Sequence, residues 1–177
     1  MSIHLILGVA AVLAVAAADL TGQDFEWSGR VAAGRAIEIE GVLGDIRVEA
    51  TTGGDVEVTA EVREHRRGYA EDIDFEVVEH ENGVTICALY PTPRRARRPN
   101  ECVPGGKSTN STNNIDVEVH FTVRVPTGVN FFGHTVNGDV DVRSLESDVE
   151  VHTVNGGVDI STSGHAQAST VNGSIWA

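Results

Sequence analysis

Aromatic residues make up only 5% of this 177-residue chain and Met occurs once, which excludes a core built from large rings and thioethers. The apolar content, 41% of residues, lies mainly in Val, Ala and Ile, which suit thin, repetitive β-sheet packing. Basic residues are scarce as well, 13 against 26 acidic ones, and Lys occurs once. The formal charge of -13 repels nucleic acid and anionic membrane surfaces, so nucleic-acid binding is excluded as a general role. No GxSxG, HExxH or phosphate-binding loop is present, and no enzymatic activity is expected. Sustained apolar spacing at i, i+3, i+4 and i+7 is missing too, so no helix is predicted after the leader, with Glu64 to Asp72 the one ambiguous stretch. At this length one domain is expected.

One long apolar run does occur, from Ile3 to Ala18, followed by the polar Asp19. It has the profile of a signal peptide, with Ala16 and Ala18 as the small-residue pair before a cleavage site. The expectation is export, a leader over residues 1–18 and a mature chain over 19–177 that keeps no stable membrane insertion. A retained anchor is the alternative, and the protein is placed outside the cytoplasm, in the periplasm, at the cell surface or secreted.

Beyond the leader, period-two alternation dominates. Ile37 and Ile39 alternate with glutamates, Val56 to Val62 with Glu57, Thr59 and Glu61, and Ile115 to Val125 puts six apolar residues on one face before Pro126. These read as half-buried strands. Residues 91–114, rich in Pro, Gly, Ser, Asn and Arg, read as a long surface loop.

The most informative feature is an internal repeat. Thr135-Val136-Asn137-Gly138, Thr153-Val154-Asn155-Gly156 and Thr170-Val171-Asn172-Gly173 recur after 18 and then 17 residues. A fainter copy, Val42-Leu43-Gly44-Asp45-Ile46, lies near the mature start, and Gly54-Asp55-Val56 echoes its second half. Two architectures fit. In a β-solenoid the Asn side chains stack in register as an amide ladder. In an antiparallel meander each Asn-Gly is a hairpin turn with positive φ. The solenoid is preferred, because a hairpin places no demand on the preceding Thr-Val. The strand after the third copy breaks off at Trp176-Ala177, as if the natural chain continued.

The segments VRVPTGV (123–129), TVNGDVDV, TVNGGVDI and TVNGSI, after an alanine-rich leader, resemble the bacterial putative-adhesin family of β-strand-repeat envelope proteins. The resemblance covers roughly residues 37–177. It implies an exported bacterial protein with a β-helix-like fold, and adhesion or envelope sensing by name only. It brings no catalytic residues and does not extend to the arginine-rich loop.

Cys87 and Cys102, the only cysteines, bracket that loop, and in an oxidising compartment they are expected to pair. A metal held by these two sulfurs alone is disfavoured. Arg94, Arg95, Arg97 and Arg98 are candidates for gripping phosphate or carboxylate, although a solvated loop is the simpler reading. His134 and His152 each precede a TVNG copy and would stack, yet Ser169 takes the third position and no third ligand is evident. Asp141 and Asp159 form a comparable pair without the GGxGxD calcium pattern. No metal and no cofactor are expected.

Three functions are compatible with these features. The first is a non-catalytic adhesive, scaffolding or envelope-sensing module, whose partner is an envelope polysaccharide or another envelope protein. The second is a polyanion-binding domain using the arginine loop, and the third a carbohydrate-active β-helix enzyme.

Overall fold

The structure, a computed structural model, describes residues 24–177. The expected leader over residues 1–18 and its expected cleavage site lie outside the described residues. The described chain forms thirteen strands: β1 (Phe25–Gly29), β2 (Ala36–Glu40), β3 (Ile46–Thr51), β4 (Val56–Glu64), β5 (Asp74–His80), β6 (Gly83–Leu89), β7 (Val117–Pro126), β8 (Asn130–His134), β9 (Val140–Leu145), β10 (Val149–Asn155), β11 (Val158–Thr162), β12 (Ala166–Asn172) and β13 (Ile175–Trp176). The ambiguous stretch resolves into the end of β4 and a single 3-10 turn at Ala70–Asp72.

The strands build two mixed sheets. The first runs β1-β4-β7-β3-β9-β11-β13 and the second β12-β10-β8-β2-β6-β5. Inward-facing residues of both, among them Ile37, Ile39, Ile86 and Phe131 from the second and Val48, Phe121, Val123 and Val142 from the first, share one core. β-branched side chains alternating along each strand make that core thin and closely filled, as the composition requires.

Each repeat contributes one strand to each sheet, and successive repeats pair in parallel. β10 lies between β8 and β12, and β11 between β9 and β13. The early pair β2 and β3 joins the same stack beside β8 and β9, followed by β6 and β7. Not all neighbouring tiers are therefore consecutive in the chain. The faint copy Leu43-Gly44 sits directly against Asn137-Gly138, with the Gly44 amide donating to the Asn137 carbonyl at 2.9 Å. Not every strand follows the pattern. β1, β4 and β5 pair antiparallel at one end, so Gly54-Asp55-Val56 leads into an antiparallel strand rather than a further stacked copy.

The meander with Asn-Gly hairpins is not what forms. A hairpin of that type needs positive φ at both turn residues. Among the described residues, positive φ occurs at neither the Asn nor the Gly of any TVNG copy. The copies stack instead. Asn155 Nδ2 donates to Asn137 Oδ1 at 2.7 Å, and Asn172 Nδ2 to Asn155 Oδ1 at 2.8 Å. The Thr of each copy has a job as well: Thr135, Thr153 and Thr170 donate their hydroxyls to the carbonyls of Gly44, Gly138 and Gly156 in the tier beside them.

The ladder amides are exposed whereas Thr153 is fully buried, so the two columns differ in worth. Water replaces a lost partner at the exposed amide, and Asn155→Ala and Asn155→Gly are each expected to cost ~1 kcal/mol. Thr153→Val keeps the shape but takes the buried hydroxyl's donor from the half-buried Gly138 carbonyl, and is expected to cost roughly 1–3 kcal/mol. Urea denaturation of the three variants side by side checks this, and an Asn155→Gly midpoint equal to wild type would remove the ladder's contribution.

Candidate functional site

Residues 91–114 are largely exposed, yet they do not stand free of the body. They fold back onto the outer face of the second sheet, because several ties hold them there. Cys87 on β6 and Cys102 form the expected disulfide, with Cα atoms 5.8 Å apart. Asn110 donates to the Ala88 carbonyl and accepts from the Tyr90 amide at 3.2 Å, and Asn100 donates to the carbonyls of Tyr90 and Ser111. This cover explains why β2 is buried on both faces and not on alternate residues.

The consequence falls on Glu38 and Glu40, which the alternation assigns to solvent. They are 3% and 8% exposed. Glu38 accepts from Thr85 Oγ1 at 2.6 Å, from the Gly106 amide at 2.7 Å, and from the Gly105 amide at 2.9 Å and 3.1 Å to its two oxygens. A strand carboxylate thus anchors the loop's Gly105-Gly106 turn, whose positive φ values of 84° and 66° turn both amides onto it. Substituting a side chain at Gly106 would press on His134, because a Cβ there would lie 3.2 Å from the imidazole Cε1.

Strand register completes the group. Glu40 pairs with Cys87 on one side and His134 on the other, and His134 in turn with His152. His134 Nε2 lies 4.0 Å from Glu38 Oε1, and the two imidazole centroids are 6.1 Å apart. Burial, reinforced by the neighbouring charge of Glu38, pushes the Glu40 carboxyl up to about 8. Glu40 is therefore largely protonated at neutral pH. Burial also lowers His134, against the opposing pull of Glu38 and with the help of His152, which favours the neutral imidazole. The two histidines are register partners as anticipated, though their rings are tilted rather than stacked, and the absence of further ligands does not hold: the structure brings two carboxyl groups to His134. Glutamates alternating with isoleucines carried no sequence signal for this, since the pairing of β2 with β8 crosses most of the chain.

The arginines occupy the outer side of the same loop. All four are exposed. Arg95, Arg97 and Arg98 line an open cleft of about 570 Å³ together with Thr109, Ser111 and Thr112, while Arg94 stands outside the lining. Among the described residues, the arginines paired with carboxylates are Arg30, Arg47, Arg63, Arg124 and Arg143, none of them in the loop.

The remaining candidates are placed plainly. Asp141 and Asp159 are register partners on β9 and β11, and Asp141 is engaged by the Arg143 guanidinium. Asp45 and Asp139 instead accept backbone amides from the next tier, at 3.0 Å and 2.7 Å, and so serve the stack.

No family model matches the sequence, and no curated protein matches it. Solved structures similar to it include a "putative cell adhesion protein" from Clostridium sporogenes, at 10% identity over 84% of this chain and 68% of that one, with a TM-score of 0.44. A "putative adhesin" from Parabacteroides distasonis shares 10% identity over 88% and 68%, with a TM-score of 0.32. Another from Bacteroides fragilis shares 13% over 84% and 69%, with a TM-score of 0.30. Likenesses this distant say nothing of a ligand or an activity, and the chain's own geometry has to supply both.

Proposed function

We propose that the chain is a non-catalytic, exported β-repeat module, solenoid-like in the stacking of its repeats, that presents the 91–114 loop as an adhesive contact surface in the cell envelope. The ligand class is a polymer bearing carboxylate or phosphate groups. The observation that carries this reading is that, among the described residues, no carboxylate pairs with the loop arginines. With 26 acidic residues in the chain, carboxylates are abundant, and the ion pairs of the described residues use arginines elsewhere. Cationic groups gathered without counter-charges repel one another and attract an external anion. The disulfide and the amide ties hold them on an ordered loop, so less conformational entropy is lost when a ligand binds. Guanidinium forks match both anion types in a bidentate manner, and the adjoining hydroxyls add donors.

The test is retention on immobilised polygalacturonate and on immobilised polyphosphate at two salt concentrations. Binding at roughly 0.05 M salt that weakens strongly at about 0.5 M is expected, since exposed charge pairs are screened within a few ångströms at the higher value. Replacing Arg95, Arg97 and Arg98 together by Gln should reduce retention more than about tenfold without moving the denaturation midpoint. Retention that ignores both salt and the triple substitution would sink the arginine surface, and release of shortened chains from the polymer would establish an enzyme instead.

A further inference from the structure

We propose that Glu38, Glu40 and His134 form a binding site for a first-row divalent metal ion of the Zn²⁺ class, set between the second sheet and the 103–108 segment that folds over it. This site is independent of what the arginine surface binds.

The first ground is geometric. One carboxylate oxygen from each glutamate and one imidazole nitrogen lie within 4.8 Å of one another. Ligand atoms around tetrahedral zinc are roughly 3.4 Å apart, given bonds of about 2.1 Å, so side-chain torsions need close only about an ångström. The three residues sit on adjacent parallel strands in fixed register, which gives the group a rigid base.

The second ground is an unmet polar atom. Glu40 Oε1 is buried and has no hydrogen-bond partner, on a residue that is 8% exposed. Burying an oxygen without a partner is costly, and native structures rarely leave one so unless something else binds there. Glu38 also has capacity to spare. The Gly105 amide is shared between its two oxygens, at 3.1 Å to Oε1 and 2.9 Å to Oε2. Releasing the longer limb frees a lone pair on Oε1 while every donor keeps a partner. Oε1 is also the oxygen nearest His134 Nε2.

The donor set then selects the metal. Two carboxylate oxygens, Glu40 releasing its proton to solvent as the ion binds, and one imidazole nitrogen suit zinc and its first-row neighbours, whereas calcium requires six to eight oxygens and magnesium holds its water. Thr85 and the Gly105 and Gly106 amides are the outer partners that would orient Glu38. The exposed His152, its ring centroid 6.1 Å from that of His134, is a candidate for a fourth ligand, with water as the other.

The experiment uses tag-free oxidised protein, stripped with a chelator and titrated calorimetrically with Zn²⁺ alone, then with Ca²⁺. One saturable Zn²⁺ site is expected, with Ca²⁺ at least about tenfold weaker. Glu40→Gln and His134→Gln should each weaken Zn²⁺ by at least about tenfold, and the rise in melting temperature on adding Zn²⁺ should disappear in both. Melting of the metal-free variants shows that each is folded, and Glu40→Gln, a neutral isostere of the protonated carboxyl, is the variant least prone to unfold. His120 and His65 gather around Glu118 on the other sheet, so His120→Gln serves as the control and should leave the affinity unchanged. Absence of saturable binding, or wild-type affinity in both Glu40→Gln and His134→Gln, overturns the proposal.

Discussion

Gly156→Ala is expected to cost roughly 3 kcal/mol or more, while Gly157→Ala at the next position leaves stability unchanged or slightly raised. The two glycines are chemically identical and adjacent in sequence, and neither has positive φ. What separates them is what stands beside the missing Cβ. A Cβ on Gly156 would lie 2.6 Å from the Gly138 carbonyl carbon and closer still to its oxygen. That carbonyl is backbone of the neighbouring tier, already engaged by the Thr153 hydroxyl at 3.1 Å, so it has no free direction in which to retreat. Gly138 against Gly44 and Gly173 against Gly156 repeat the same approach, so the motif's Gly marks a column where the backbone of one tier passes over the next. At Gly157 the nearest atoms to a new Cβ are Asp139 Oδ1 at 3.6 Å and the Ser174 carbonyl at 3.7 Å, ordinary van der Waals distances. There the methyl only narrows the unfolded ensemble. Chemical denaturation of both variants is the measurement, and equal midpoints would mean that the tiers do not approach as closely as the column requires.

That contrast also shows where sequence reasoning reached its limit. The TVNG spacing was enough to anticipate register and the amide ladder, because a repeat that pairs with itself in parallel places identical residues side by side. The motif alone did not reveal which of its residues are buried. Asn, the more conspicuous one, lies at the exposed corner, while Thr carries the buried hydrogen bond. The alternation in Ile37 to Glu40 correctly implied a strand and wrongly implied a wet outer face. Period two reports that two faces differ in polarity, and cannot report that a loop some fifty residues later folds over the polar one. The same long-range cover hid the Glu38, Glu40 and His134 group, whose members come from strands adjacent in space but distant in the chain. The arginine loop was legible as a charged segment held by a disulfide, and the meeting of Arg95, Arg97 and Arg98 in one cleft was not.

Reducing the Cys87–Cys102 disulfide is expected to cost ~3 kcal/mol, the chain-entropy figure for a loop of about fifteen residues. The structural consequence is narrower than the energetic one. Both sheets are paired through strands that the bridge does not hold together, so reduced protein should keep its far-UV signature up to the transition. The loop has other ties, from Asn100 and Asn110 and from the Gly105 and Gly106 amides to Glu38. Most of these are hydrogen bonds that exchange with water, each worth ~1 kcal/mol net, and they lose their advantage once the covalent tether no longer holds the segment near them. Hydrogen exchange should therefore accelerate in residues 100–110 and at the β2 and β6 face beneath them, while β3, β9 and β11 keep their protection. Comparing oxidised protein, reduced protein and the Cys87→Ala, Cys102→Ala double variant separates loss of the bridge from loss of the sulfur atoms' packing. A reduced protein with an unchanged midpoint would show that the bridge does not constrain the unfolded chain. Loss of protection throughout both sheets would show instead that the loop supports the stack, and that the bridge anchors the fold as a whole.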